Sequence, residues 1–160
     1  MATYINGTDM VVYVDDTATA GGSSSPDEST LLGVATSVTL NVEIDAPETT
    51  VKADSDEKQF MGLSRSWTIE ADAFYSEVGE SVDFYTLWNA AYGDDSTAST
   101  SPVIAGYPRR VYVVFKGATG GNEYKGYAYI TNISATGGTE DAGTMSVTFT
   151  GSGDLEYSAS

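Results

Sequence analysis

Cysteine and histidine are both absent from this chain of 160 residues. That inventory excludes disulfides, zinc sites built on Cys or His, thiol nucleophiles and Ser-His-Asp triads, and most familiar hydrolase chemistry leaves with them. Cations are scarce: 7 Lys and Arg stand against 23 Asp and Glu, a formal net charge of −16. Tight binding to a nucleic-acid backbone needs cationic side chains that displace counterions, so this chain is set to repel DNA rather than hold it. Nowhere is there a run approaching the ~18 consecutive apolar residues of a membrane span, and the N-terminus has no basic stretch leading into an apolar one. The expectation is a soluble, unprocessed chain with no cofactor and no enzymatic activity.

What is present is alternation. In the stretch from Leu32 to Asp45, the residues Leu32, Val34, Val38, Leu40, Val42 and Ile44 share one parity, while Ser37, Thr39, Asn41, Glu43 and Asp45 take the other. Gly62 to Tyr75 repeats the pattern, with Trp67, Ile69, Ala71 and Ala73 against Thr68, Glu70 and Asp72. Period two marks strands with one apolar and one wet face, and the two stretches can pair with their apolar sides in register. At roughly 3.3 Å per residue each approaches ~45 Å, more than a small domain can cover. The connecting loop, Ala46 to Met61, is therefore expected to project and meet another copy of the chain.

Around this pair, Asp9 to Val14 reads as a well-covered first strand, and Asp15 to Thr30 as a polar loop rich in Gly and Ser. Ser81 to Tyr92 reads as the one helix, with Ser81 as N-cap, Asp83 in the first turn, Gly93 as the stop, and Phe84, Leu87, Trp88 and Ala91 on one core-facing side. A hairpin follows, Arg110 to Lys116 and Glu123 to Ser134, and then Thr144 to Thr150 with Met145, Val147 and Phe149 inward. Gly151 and Gly153 break that strand, and Leu155 and Tyr157 close the chain. Many strands, one helix and no βαβ rhythm point to one all-β domain over residues 1–160, a two-sheet antiparallel sandwich or partial barrel, with loops at about 15–30, 46–61 and 93–102.

Paired acids at Asp15 and Asp16, at Asp54, Asp56 and Glu57, and at Asp94 and Asp95 lack the spacing of a calcium loop or a glycosidase pair and read as solvated loop carboxylates. Gly151 and Gly153 have no following helix to hold a phosphate. Asn6-Gly7-Thr8 and Asn132-Ile133-Ser134 match the short glycosylation pattern, which arises often by chance. With catalysis unsupported, the half-polar strands lean towards assembly, since a ring of identical subunits can remove exposed sheet edges by pairing them.

Ile5-Asn6-Gly7-Thr8-Asp9 leading into Val11 to Val14, Ser37-Val38-Thr39-Leu40, Glu48-Thr49-Thr50-Val51-Lys52-Ala53-Asp54, Gly62-Leu63-Ser64-Arg65-Ser66-Trp67-Thr68-Ile69, and the closing Glu140 to Gly153 with its Gly-x-Gly end form an ordered set. Together these segments resemble the major tail tube proteins of long-tailed (siphovirus-like) bacteriophages. The insert from Asp15 to Thr30 has no counterpart in that pattern. The resemblance implies a two-sheet fold with one helix, six copies closing into a ring, and rings stacking into a hollow tube that conducts double-stranded DNA without binding it specifically. It also implies tape measure, tail terminator and tail tip proteins as partners, and a place in the virion tail after assembly from the host cytoplasm. On that basis Thr39, Asn41, Glu43, Asp45, Thr68, Glu70 and Asp72 are expected to line the channel, and Glu48, Thr49, Thr50, Lys52, Asp54 and Lys58 to contact the next ring. The alternatives are a secreted adhesive or carbohydrate-binding sandwich, which predicts a signal peptide, and a tube protein of a contractile tail or secretion apparatus.

Overall fold

The computed structural model describes residues 10–15, 32, 35–48, 61–62, 64–75, 83–93, 108–117, 121–138 and 142–159. In chain order the elements are β1 (Met10–Asp15), β2 (Ala35–Asp45), β3 (Ser64–Phe74), α1 (Phe84–Ala91), β4 (Arg110–Gly117), β5 (Glu123–Thr136), β6 (Thr144–Gly151) and β7 (Glu156–Ser158). All strands join one antiparallel sheet in the order β1-β4-β5-β6-β3-β2, with β7 on β5. The sheet curls over a common core until β1 and β2, at opposite ends of the path, come into contact.

The long β5 is the corner of this fold. Its first half pairs with β4 through Tyr129 and with β7 at Glu123 to Lys125, and its second half pairs with β6 from Ala128 to Thr136. The register slips between Ile130 and Asn132. A bulge there bends the strand and lets it leave one layer and enter the other. Two layers result from one continuous sheet: β1, β4 and the start of β5 with β7, against the end of β5 with β6, β3 and β2.

The core fills the space between them. Val12, Val14, Ile69, Ala71, Ala73, Val111, Val113, Ala128, Met145, Val147 and Phe149 are buried with Leu32 and, from the helix, Leu87 and Ala90. Trp67 joins them in a slot with glycine walls: a Cβ at Gly126 would stand 2.9 Å from Trp67 Cζ2 and 2.8 Å from the Asp154 carbonyl oxygen, and one at Gly151 would stand 2.2 Å from Trp67 Cε2, far inside van der Waals contact. Trp67 Nε1 donates to the Gly153 carbonyl at 3.1 Å. The break between β6 and β7 is thus shaped around one side chain.

Several sequence expectations need correction. β2 begins at Ala35 rather than Leu32, with a register shift between Ala35 and Ser37, and β3 ends at Phe74, so both strands are shorter than their alternating stretches. The first strand is Met10–Asp15, with Val12 and Val14 buried and Val11 and Tyr13 half-buried. The helix starts at Phe84, and its N-cap is Asp83 rather than Ser81: the Asp83 carboxylate accepts from the Thr86 N–H at 2.8 Å, satisfying a donor that the first turn leaves orphaned. Its buried residues are Leu87 and Ala90, while Phe84, Trp88 and Ala91 are half-buried. The buried stripe is thus rotated towards Ala90 and away from Trp88. Gly93 does end the helix, at φ 81°, with its N–H on the Asn89 carbonyl. In β4, Val111, Tyr112, Val113 and Val114 are all buried, so that strand is covered on both faces rather than one. Of the expected loop from Asp15 to Thr30 all but Asp15, which ends β1, lies outside the described residues, as do most of Ala46 to Met61 and the loop at 93–102 beyond Gly93, and with them the other paired acids.

Candidate functional site

Trp67, Ile69, Ala71 and Ala73 of β3 and Met145, Val147 and Phe149 of β6 turn into the core, so the residues between them share the other face, with the exposed Phe74 at its end. Register extends that face across four strands. Asn41 pairs with Thr68, Thr68 with Thr150 and Thr150 with Tyr129; Thr39 pairs with Glu70, Glu70 with Thr148 and Thr148 with Asn132; Ser37 pairs with Asp72, Asp72 with Ser146 and Ser146 with Ser134. Hydroxyls, amides and carboxylates thus form rows running perpendicular to the strands from β2 to β5. They are tied sideways: Ser146 Oγ donates to the Asp72 carboxylate, and the Thr131 and Thr150 hydroxyls share a hydrogen bond of 2.9 Å. Cross-strand hydroxyl pairs of this kind hold register on a wet face.

Past Thr68, β2 and β3 run on beyond β6 as a two-stranded ribbon. Glu43 faces Ser66 and Asp45 faces Ser64 on its wet side. The seven expected residues, Thr39, Asn41, Glu43, Asp45, Thr68, Glu70 and Asp72, therefore do share one surface. Joining them, unanticipated, are Thr144, Ser146, Thr148 and Thr150 of β6 and Asn132, Ser134 and Thr136 of β5. The alternation of β6 was the available signal for the first set; the bulge concealed the second. Of the expected loop residues, Glu48 is described, next to Pro47, whose carbonyl accepts from the Met61 N–H at 3.1 Å. Thr49, Thr50, Lys52, Asp54 and Lys58 lie outside the described residues.

Charge on this surface has one sign. Glu43, Asp45, Glu70 and Asp72 are exposed on it; of the Lys and Arg on its four strands, Arg65 sits opposite Ile44 on the other side, and Lys125 lies at the parity of Tyr129 but in the first half of β5, before that strand meets β6. Arg110, opposite Tyr129 just past the end of the first row, stacks on Tyr127 at 4.2 Å, and Lys116 lies over Tyr13 and pairs with Glu123 at 3.4 Å. Among the described residues there is no cluster of acids able to hold a metal ion, and no helix long and apolar enough to cross a membrane. What this surface offers is a broad, hydrated, anionic plane.

A family model described as phage tail tube protein matches residues 4–157. The chain belongs to that family. Tail tube proteins are structural, so the wet plane belongs to a building block and not to an enzyme. No curated protein matches the chain in sequence. Solved structures similar to it include the tail of an empty gene transfer agent (GTA) particle refined with C6 symmetry, at a TM-score of 0.63 and 13% identity over 96% of this chain and 98% of that one. The SPP1 tail tube is similar at 0.60 and 14% identity, over 98% and 80% of the two chains. A chain of the anti-feeding prophage (AFP) baseplate, 6-fold symmetrised, is similar at 0.54 and 7% identity, over 99% and 98%. These likenesses carry the curled antiparallel fold of a tail tube subunit.

Proposed function

We propose that six copies of this chain close into a ring, that rings stack into the hollow tube of a virion tail, and that the wet face of β2, β3, β6 and β5 lines the channel through which double-stranded DNA passes. The observation that carries this reading is the one-signed polar plane on four neighbouring strands. It is continuous, carries no cation between β2 and the second half of β5 among the described residues, and is bounded by those two strands. Four antiparallel strands end in opposite directions, so β2 of one copy lies antiparallel to β5 of the next under a simple rotation. Alternation is then kept at every joint of a closed barrel. The C6 symmetry of the similar GTA tail supports a count of six.

With six copies, strands ~4.8 Å apart and a tilt near 40° enclose a barrel about 48 Å across its backbone. A duplex on the axis would then keep its phosphates on the order of the ~8 Å screening length from the carboxylates of Glu43, Asp45, Glu70 and Asp72. Repulsion at that distance is only partly screened, and DNA slides without sticking. The hydroxyls between the acids hydrate the surface without adding an attractive charge.

On the same reading, Glu48 and the loop residues Thr49, Thr50, Lys52, Asp54 and Lys58 contact the next ring. Tape measure, terminator and tip proteins meet the tube along its bore and at its ends, and the subunit waits in the host cytoplasm before assembly. The similarity to the AFP baseplate chain favours one second reading, a tube of a contractile apparatus, which uses the same ring. A secreted adhesive module offers no account of the family match. Electron microscopy of the purified protein tests the proposal: rings or tubes of uniform width with six-fold end views are expected, and a protein that stays monomeric at every concentration and salt would overturn it.

A further inference from the structure

The acids of the wet plane are kept apart by hydroxyls. Glu70 lies between Thr39 and Thr148 across the sheet, Asp72 between Ser37 and Ser146, Glu43 opposite Ser66 and Asp45 opposite Ser64. No carboxylate of the plane has another as its cross-strand partner, and the nearest on its own strand is two residues away, at about 7 Å. A divalent cation held by protein needs several oxygens converging at about 2.0–2.6 Å, which single carboxylates flanked by hydroxyls do not supply. Among the described residues there is accordingly no cluster of acids able to hold a metal ion. Cations drawn to this plane stay hydrated and mobile.

We infer that the assembled tube is a cation-selective conduit: hydrated K⁺ and Mg²⁺ move along the bore, and anions are kept out. This rests on the channel face proposed above and adds an activity to it. Four carboxylates in each copy put 24 on a ring of six. Strands of 11 residues with a tilt near 40° give the ring about 28 Å along its axis, and side chains narrow the barrel to a bore of about 38 Å. The fixed charge in that volume is on the order of 1 M, well above the ~0.15 M of physiological salt. Rings of Asp and Glu select cations by this imbalance, because mobile cations must first match the charge of the wall.

Screening decides how far from the wall the selection reaches. At ~0.01 M salt the screening length is ~30 Å, more than the bore radius, so anions are excluded across the whole section; at ~1 M it is ~3 Å, and only a skin at the wall is selective. DNA carries the effect to physiological salt. A duplex on the axis brings about 16 further negative charges within the height of one ring. The annulus left around it is about one screening length wide, with anionic walls on both sides. Cations alone fill that annulus, so the duplex travels in a sleeve of its own counterions instead of shedding them on entry.

Single tubes seated in a solid-state pore of matching width, with unequal KCl on the two sides, report selectivity through the potential of zero current. The expected result is a preference for K⁺ over Cl⁻ of about tenfold or more near ~0.01 M that falls towards unity near ~1 M. Tubes with Glu43→Gln, Asp45→Asn, Glu70→Gln and Asp72→Asn together should lose most of it, and tubes with all four replaced by Lys should prefer Cl⁻. The chain has no cysteine, so Thr39→Cys reports separately on the face. A maleimide coupled to a particle too large for the bore should label it in free subunits and not in tubes. Protection of Thr39→Cys with no preference for K⁺ at low salt would overturn the inference alone. Labelling of Thr39→Cys in tubes, or a preference unchanged by the neutral variant, would overturn the channel face and the inference with it. If the substituted chains do not assemble, the salt series on the unsubstituted tube decides.

Discussion

Replacing Gly151 with Ala probes the packing that roots the β2–β3 ribbon to the body. The added Cβ would stand 2.2 Å from Cε2 of the Trp67 indole, which is 5% exposed and fixed by its hydrogen bond to Gly153. Gly151 has no positive φ, so the effect is steric and not conformational. Displacing the ring costs about 1–3 kcal/mol of overpacking and about 1 kcal/mol for the strained hydrogen bond. Reduced freedom of the unfolded chain returns about 0.4–1 kcal/mol, leaving a net loss of about 1–3 kcal/mol. Chemical denaturation of the isolated subunit, followed by circular dichroism, measures it. Trp67→Ala alone should cost about 3–5 kcal/mol. In that background Gly151→Ala should become nearly neutral, because the clash has been removed. A loss below ~0.5 kcal/mol for Gly151→Ala, or full additivity with Trp67→Ala, would refute the assignment of this glycine to the indole.

Leu87→Ala, at a fully buried helix position, should cost about 2–5 kcal/mol, whereas Trp88→Ala, at a half-buried one, should fall below the ~3 kcal/mol expected of a core tryptophan; the two denaturation midpoints give the order. Asp83→Ala removes the side-chain cap at the helix start and should cost about 1 kcal/mol, while Asp83→Ser should restore most of it in the same titration.

How legible each part was in the sequence depended on the range of the interactions behind it. Thr144 to Thr150 was fully legible, since strict alternation and an interior strand position agree. The shared face of Glu43, Asp45, Glu70 and Asp72 was legible for the same reason: parity alone fixes it. Parity does not fix coverage. Val42 and Ile44 carry the same pattern as Val38 and Leu40 but lie where the ribbon has outrun β6, and only the pairing register reveals that. The break at Gly151 and Gly153 could be read, but its cause, an indole arriving from a strand distant in sequence, could not. Helical spacing placed Trp88 and Leu87 on one face; which of them the sheet could accommodate depended on the closeness of β5. The second half of β5 was hidden because a bulge shifts its parity midway, so Asn132, Ser134 and Thr136 did not read as partners of Thr39 and Glu70.

The central claim is that the anionic plane faces DNA. Replacing Glu43, Asp45, Glu70 and Asp72 together with Lys reverses the sign of that plane without touching the core, because all four are exposed. Genome ejection from particles built with the variant, timed across a range of salt concentrations and alongside tube assembly, tests it most directly. Normal tubes with slowed ejection that recovers as salt rises are expected, because cationic rings would hold phosphates until screened. Normal tubes with unchanged ejection at every salt concentration would contradict the claim and place this face away from the channel.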